Sequence, residues 1–442
     1  MTRTMPTFPE GDLTVPNHHP GMETRTYEIE VITPLFGGGV EAGKVDRDHP
    51  IRESAIRGHL RFWWRATRGA KYESIEELCQ RDGEIWGSTE NPSPVSIKVA
   101  VTSPGTIYPC MSVPPNGRRP QFNHNHPPYA LFPFQGDRRR NIPVASCVSG
   151  LSFSLNMIYP KSFEDDVLTA VRTWVNFGGI GARTRRGCGA LFCRDLALSN
   201  ESNIPKLLES IQNDSQVLTR ALCRWPVFMQ KLLIKNTSND IFQSWSEVIG
   251  LLKKFRQEPS VGRSNRGRMG PVGRSYWPEP ETIRRLTGQR LPVHTRQNEI
   301  PEDAFPRAEF GLPIVFHFKD NPDSYLDPNL DPADTELYPV INGSEKNRMA
   351  SPLILRPLKC ANGDIFSAIL LMRTPPVLEV VLKKAPRNPH CRKIQGKDLA
   401  NYRNSPMGIP NGKTVKRSVD GSALEAFLSF AKNENGFTEV PK

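Results

Sequence analysis

The stretch "FEDDVLTAVRTWVNFGGIGARTRRGCGALFCRDLAL", Phe163 to Leu198, reads as a helix, a glycine-rich turn and a strand. Val167, Val171, Trp174 and Val175 recur at helical spacing, and Asp165 and Asp166 stand where a helix N-terminus favours negative charge. From Phe177 to Leu191, five glycines and three arginines fall within fifteen positions. Glycine forgoes side-chain contact, so another group can approach the main chain closely. Arginine offers a forked, permanent charge suited to phosphate. The pairing predicts a phosphate-bearing ligand at Gly178, Gly179, Gly181, Arg183, Arg185 and Arg186, with Gly187 and Gly189 in the same loop.

Upstream, the run from Thr24 to Thr33 alternates as a strand should. "PLFGGG" breaks it, and "SAIRGHLRFWWRATRGA" follows as a helix that Ser54 is placed to cap. A short connector, "GEIWGST", leads to a strand at "PVSIKVAVT". Residues 103–145 hold nine prolines, which marks a long insertion rather than core. "GLSFSLNMIY" gives a third strand before the helix and turn. The order strand, helix, strand, strand, helix, strand is the split βαβ pattern of a ferredoxin-like domain, here spanning residues 24–200. Residues 1–23 are polar and proline-rich, a flexible leader.

Residues 201–442 are less regular. A helix is expected over Asn239–Phe255, then a glycine- and arginine-rich loop. Strand-like runs stand at "GLPIVFHF", "SPLILRPL" and "FSAILLM…LEVVLKK", and "SALEAFLSFAK" forms a last helix. The fold class expected is α+β, two ferredoxin-like (RRM-like) βαββαβ domains in tandem, the second degenerate.

The 442 residues carry a net charge of +12, and the excess is banded. Residues 52–71 hold six basic residues against one acidic, residues 253–274 seven against one, and residues 383–417 ten against one. A mildly acidic body with positive bands is how a polyanion-binding surface reads, the alternative being solvated loops that never meet. Arg57, Arg61, Arg65 and Arg68 fall on one side of the first helix at ~100° per residue. Four like charges so close repel unless an anion lies across them, so they read as an RNA-facing stripe. Arg52, Arg263, Arg266, Arg268 and Arg274 extend the basic surface.

Other chemistries are poorly supported. No run approaches the ~18 apolar residues of a membrane span, and the start of the chain has no secretion signal. Eight cysteines without a C-x-x-C pair read as reduced thiols of a cytoplasmic protein, with no zinc site expected. "GGVEAGKV", Gly38 to Val45, nearly matches a nucleotide phosphate loop, but Val45 has no hydroxyl for magnesium and Pro50 follows. Gly37 and Gly38 can still line one binding edge with the later glycine loop. His124 and His126 lack a third close ligand. His49 and His59 are the candidates for acid–base cleavage of RNA, with His59 expected at the sheet edge.

"ITPLFGGG", "SAIRGHLRFWWRA", "EIWGST" and "GGIGARTRRGCGAL", followed by "GRSYWPEPETIR", "FPRAEFGLPIVFHF" and "RMASPLILRPL", resemble the RAMP superfamily. In particular they resemble the first-numbered subunits of type III-B CRISPR (Cmr) effectors. The resemblance spans residues 24 to about 380. It implies two ferredoxin-like domains and a subunit that binds RNA without cutting it, toward the 3′ end of the guide. It implies guide RNA, target RNA and other Cmr subunits as partners, with no cofactor. The glycine loop would take the RNA backbone, and Arg57, Arg61 and Arg65 match the family's basic helix motif. A metal-independent endoribonuclease using His49 or His59, or a general RNA-binding scaffold, are the alternatives. The leader and the 103–145 insertion depart from the family pattern.

Overall fold

The computed structural model describes residues 21–39, 41, 43–113, 119–123, 126–137, 141–212, 225–236, 239–259, 261–263, 275, 277–291, 305–318, 330–376, 379–384, 391–394 and 422–441. In β1 (Met22–Val31) the predicted alternation is present: Tyr27, Ile29 and Val31 are buried while Glu28 and Glu30 are exposed. Next come β2 (Leu35–Phe36), α1 (Glu53–Ala66), α2 (Ile75–Trp86) and β3 (Ser96–Pro109). The short β4 (Met111–Ser112), β5 (Gln121–Phe122) and α3 (Pro128–Leu131) follow. β6 (Ser146–Pro160), α4 (Glu164–Phe177), β7 (Leu191–Phe192) and α5 (Ile204–Gln212) complete the first half.

β6 is central in the first sheet, pairing β1 on one side and β3 on the other, with β7 beyond β1 and β2 continuing along β6. Counting the main strands along the chain, the order is 4-1-3-2, all antiparallel. Ile56, Leu60 and Trp64 of α1 and Val167 and Val171 of α4 share one core with Phe153, Leu155 and Met157 of β6.

Three local expectations need correcting. Ser54 lies inside the first turn of α1; Arg52 is the cap position and gives no side-chain cap. The stretch "GEIWGST" is no simple connector: its first four residues are the last turn of a full helix, α2, capped by Ser74, which accepts from the Glu77 N–H. Residues 103–109 are not insertion, because β3 stays paired to β6 as far as Pro109↔Ser146. The remaining 110–145 segment is not peripheral either: Cys110, Ala130 and Leu131 are fully buried in the core built on the second half.

In that half β8 (Val227–Asn236), α6 (Ile241–Gln257), α7 (Glu279–Thr287), β9 (Ile314–Phe316), β10 (Thr335–Ile341) and β11 (Ser344–Glu345) come first. They are followed by β12 (Leu353–Lys359), β13 (Ile365–Arg373), β14 (Glu379–Lys384), β15 (Cys391–Ile394), α8 (Ala423–Asn435) and β16 (Thr438–Glu439). β12, β13, β8 and β16 form one sheet, again in the order 4-1-3-2 when counted along the chain. Both faces are covered. Leu232, Ile234, Ile354, Ala368 and Leu370 join the core of the first half, while Leu233, Leu353, Leu355, Ile369 and Leu371 pack with α6 and α8. That is why β12 and β13 read as near-continuous apolar runs.

The layers are therefore sheet, α1 with α4, sheet, α6 with α8. Trp63 of α1 and Phe177 of α4 both meet Phe228 of β8, at 6.2 and 5.2 Å between ring centroids. A third sheet, β11-β10-β14-β15 with β9 beside β10, departs from the expected pair. It has its own small core of Ile283, Phe305, Leu312, Phe316, Leu337, Val380 and Leu382. "FSAILLM…LEVVLKK" thus divides between two sheets.

Candidate nucleic-acid interface

The glycine–arginine loop is held from below by an arginine outside it. Arg356 of β12, 1% exposed, donates to the carbonyls of Val175 at 3.1 Å, Gly178 at 2.6 Å and Leu191 at 2.8 Å. A helix end leaves carbonyls without intrahelical partners, and this guanidinium satisfies those at the C-terminus of α4. Burial without a carboxylate pushes its pKa down to about 9, so it stays charged near neutral pH.

Two of the three loop arginines also point into protein. Arg185 donates to the Ser351 carbonyl and lies over the Phe62 ring. Arg186 donates to the Leu353 carbonyl at 3.0 Å, and its own carbonyl accepts from Trp245 Nε1 at 2.7 Å. Burial pushes them down to about 10 and about 9. Gly187 is packed the same way: with φ at +78°, an added Cβ would stand 2.6 Å from Trp245 Nε1. Much of the bare, positive character of this loop thus docks one half of the chain on the other.

The arginine stripe on α1 has its anion, but the anion is internal. Arg61 donates through Nε and a terminal nitrogen to one oxygen of the Asp82 carboxylate on α2, and Arg65 lies 3.3 Å from the other oxygen. Arg68 pairs with Asp166 of α4 at 3.1 Å, and Trp64 Nε1 donates to that carboxylate at 2.7 Å. Arg57 donates to Ser93 Oγ and to the Val95 carbonyl. The stripe faces α2 and the start of β3, which explains how four like charges are tolerated.

What remains open lies at one edge. Gly37 and Gly38 both have positive φ, and the site of a Cβ on Gly37 is 3.4 Å from Ala182 Cβ. The Ala182 N–H donates to the Phe36 carbonyl at 2.7 Å, so the two glycine turns meet as the sequence suggested. Gly181 is exposed, with φ at +83°. Arg52 donates to the Gly38 carbonyl and pairs loosely with Asp46 at 3.3 Å, with nearly half its side chain exposed. Arg183 has left-handed backbone (φ 59°), lies 5.5 Å from the Phe132 ring centroid, and has a buried Nε with no hydrogen-bond partner.

The first sheet's solvent face differs in kind. Thr26, Glu28 and Glu30 sit in register with Asn156, Ser154 and Ser152, and Lys98 and Ala100 lie beyond. Phe192, in register with Glu30, is buried beneath Lys359, so among the described residues this face has no exposed aromatic platform of the kind on which RRM sheets stack bases.

His59 is not at a sheet edge. It lines a cavity of about 180 Å³ with Phe62, Gly178, Gly179, Thr184 and Arg185, its ring stacked toward Trp174 at 6.1 Å. Burial lowers its pKa. His49 is exposed, its N–H bonded to Asp46. Arg263 donates to the Gln257 carbonyl; Arg266, Arg268, Arg274 and His124 lie outside the described residues, as does the 1–20 leader. Among the described residues no cluster of His, Cys, Asp and Glu has the makings of a metal site, and no helix is long and apolar enough to cross a membrane.

Residues 28–192 match the model of the RAMP superfamily. Over that span the chain is similar to RAMP-superfamily proteins. Over an alignment 181 residues long that covers 37% of the chain, it is 29% identical to CRISPR system Cmr subunit Cmr1-2 of Pyrococcus furiosus and spans 92% of that protein. The apo crystal structure of Cmr1 from Pyrococcus furiosus aligns over 94% of this chain and 98% of its own, at 16% identity and a TM-score of 0.47. A chain in the cryo-EM structure of type III-B Cmr-beta bound to cognate target RNA aligns over 80% of this chain and 95% of its own, at 13% identity and a TM-score of 0.43. Within the matched span, sequence reasoning missed Asp82, Phe132 and the pairing of Asp166 with Arg68, and outside it Arg356. Only Asp82 had a legible signal, the S-x-x-E capping box at Ser74–Glu77 that opens its helix.

Proposed function

We propose that the chain is a non-catalytic, RNA-binding subunit of a type III-B CRISPR effector. It holds guide or target RNA by the backbone, toward the guide's 3′ end, alongside other Cmr subunits. On this reading the two sheets with the repeated 4-1-3-2 order are tandem ferredoxin-like units, and the third sheet is an addition to the second. The observation that carries it is the meeting of two glycine turns, Gly37–Gly38 and Gly181, beside the half-exposed Arg52 and Arg183, which faces no carboxylate among the described residues. Such an edge offers close main-chain approach and fixed positive charge, which suits phosphates and carries no base-sequence information. That fits a machine in which guide pairing reads the target. The relative's name, a Cmr subunit of a CRISPR system, supports the same assembly.

Binding should be electrostatic. Single-stranded RNA affinity is expected to fall steeply between about 50 and 200 mM salt, because phosphate contacts release counterions. Fluorescence anisotropy with unrelated strands should give similar affinities; a flat salt response contradicts the reading. Incubating a repeat-derived RNA with the protein in EDTA separates binding from the endoribonuclease alternative: intact RNA is expected, and defined cleavage products would favour the alternative.

A further inference from the structure

The 110–145 segment places one aromatic ring where the RNA-binding reading can use it. Phe132 is 56% exposed, yet residues on either side of it are held by packing. Leu131 before it is fully buried, and Phe134 after it stacks on Phe36 with centroids 4.4 Å apart and planes 1° apart. The Phe134 carbonyl accepts from the Ala145 N–H at 2.9 Å. Phe36 immediately precedes the glycine turn at Gly37–Gly38, so the ring is anchored to the open edge.

Its neighbour across the gap is Arg183, whose guanidinium carbon lies 5.5 Å from the ring centroid. Arg185 and Arg186 of the same loop are bound to carbonyls of Ser351 and Leu353, whereas Arg183, partly buried, has among the described residues no carboxylate partner and no acceptor for its buried Nε. Non-glycine residues held at positive φ are uncommon, and such backbone is retained where the side chain's placement matters. An exposed ring flanked by a cation and set beside a phosphate-suited edge is the composition of a single-strand stacking platform.

We infer that Phe132 and Arg183 form a clamp on one nucleotide of the bound single-stranded RNA, the ring stacking on an unpaired base and the guanidinium taking the adjacent phosphate. This rests on the RNA-binding reading and adds a contact from a segment outside the family's common pattern. Because every base has a π-face, the clamp is tolerant of sequence but requires a base.

The test compares the wild-type full chain with Phe132→Ala and Phe132→Tyr, using a single-stranded RNA and a series in which each nucleotide in turn is abasic. Phe132→Ala is expected to weaken binding roughly 5- to 100-fold, with an unchanged salt slope and melting temperature, and Phe132→Tyr to restore it. At one position the abasic substitution should weaken wild-type binding by a similar factor and leave Phe132→Ala binding unaffected. Phe132→Ala binding at wild-type affinity overturns the clamp while leaving the RNA-binding reading intact. So does retained RNA affinity with loss of a Cmr subunit from the purified complex, which would make Phe132 a protein contact. A wild-type chain that binds no RNA removes both.

Discussion

Arg356 is the residue on which the loop's geometry depends. Nothing in "SPLILRPL" marks its role, because nothing local shows that the second sheet is covered on both faces. Replacing it with Met leaves the carbonyls of Val175, Gly178 and Leu191 without donors. Each buried acceptor without a partner costs ~1–3 kcal/mol. Urea unfolding of Arg356→Met should show a loss of at least about 3 kcal/mol, with Arg356→Lys failing to restore it because an ammonium lacks the planar fork. Wild-type stability in either variant would show that the guanidinium is not the anchor.

His126 gives a second test at this scale. Its ring lies 5.7 Å from Phe242 and near Tyr108 and Trp245, and burial pushes its pKa down to about 4 from an unfolded value of ~6.5. Between those values the unfolded chain binds the extra proton, so stability is lost as pH falls from about 6.5 towards 4 and is level above. In His126→Phe the melting temperature should depend less steeply on pH over that range; an unchanged profile would rule out this histidine. Gly181→Val, by contrast, cannot isolate RNA contact, because its Cβ would stand 2.5 Å from the Phe36 carbonyl oxygen at positive φ.

At the scale of elements, the pattern of apolar alternation and helical spacing was enough to place β1, α1, β6 and α4, since each buries one face against the same core. It was not enough for α2, and that omission changed the meaning of the arginine stripe. Arg57, Arg61 and Arg65 do share one side of α1, whereas Arg68 lies past its end, and the carboxylates facing Arg61, Arg65 and Arg68 stand on α2 and α4. Asp82 is 5% exposed, so removing its partners leaves a buried charge alone. Arg61→Ala with Arg65→Ala is therefore expected to destabilise the fold by ~3–5 kcal/mol and, where the protein still folds, to leave RNA affinity nearly unchanged. Calorimetry and anisotropy on the same preparation decide it; weakened binding with an unchanged melting temperature would restore the stripe as an RNA surface. β9 and β14 of the third sheet were legible as strand-like runs, but β10 and the pairing of the three were not, because β10 and β14 are separated in sequence by the strands of another sheet.

At the scale of the whole molecule, α1 and α4 lie between two sheets, so the halves share a core and the division near residue 200 is one of sequence rather than of stability. Trp63 illustrates it: 3% exposed, it packs against Phe228 from the other half. Trp63→Ala should cost ~3–5 kcal/mol, and both halves should unfold in one calorimetric transition. Two separated transitions would contradict the shared core.

The central claim is that RNA lies along the glycine edge rather than on the sheet or over the arginine stripe. Amide hydrogen exchange with and without single-stranded RNA tests it most directly. Protection is expected in peptides covering residues 36–39, 51–55 and 180–184, with no change at residues 24–30, 96–101 and 152–158. Protection concentrated on those three strands, with the glycine turns unchanged, would place the RNA on the open sheet face and contradict the account.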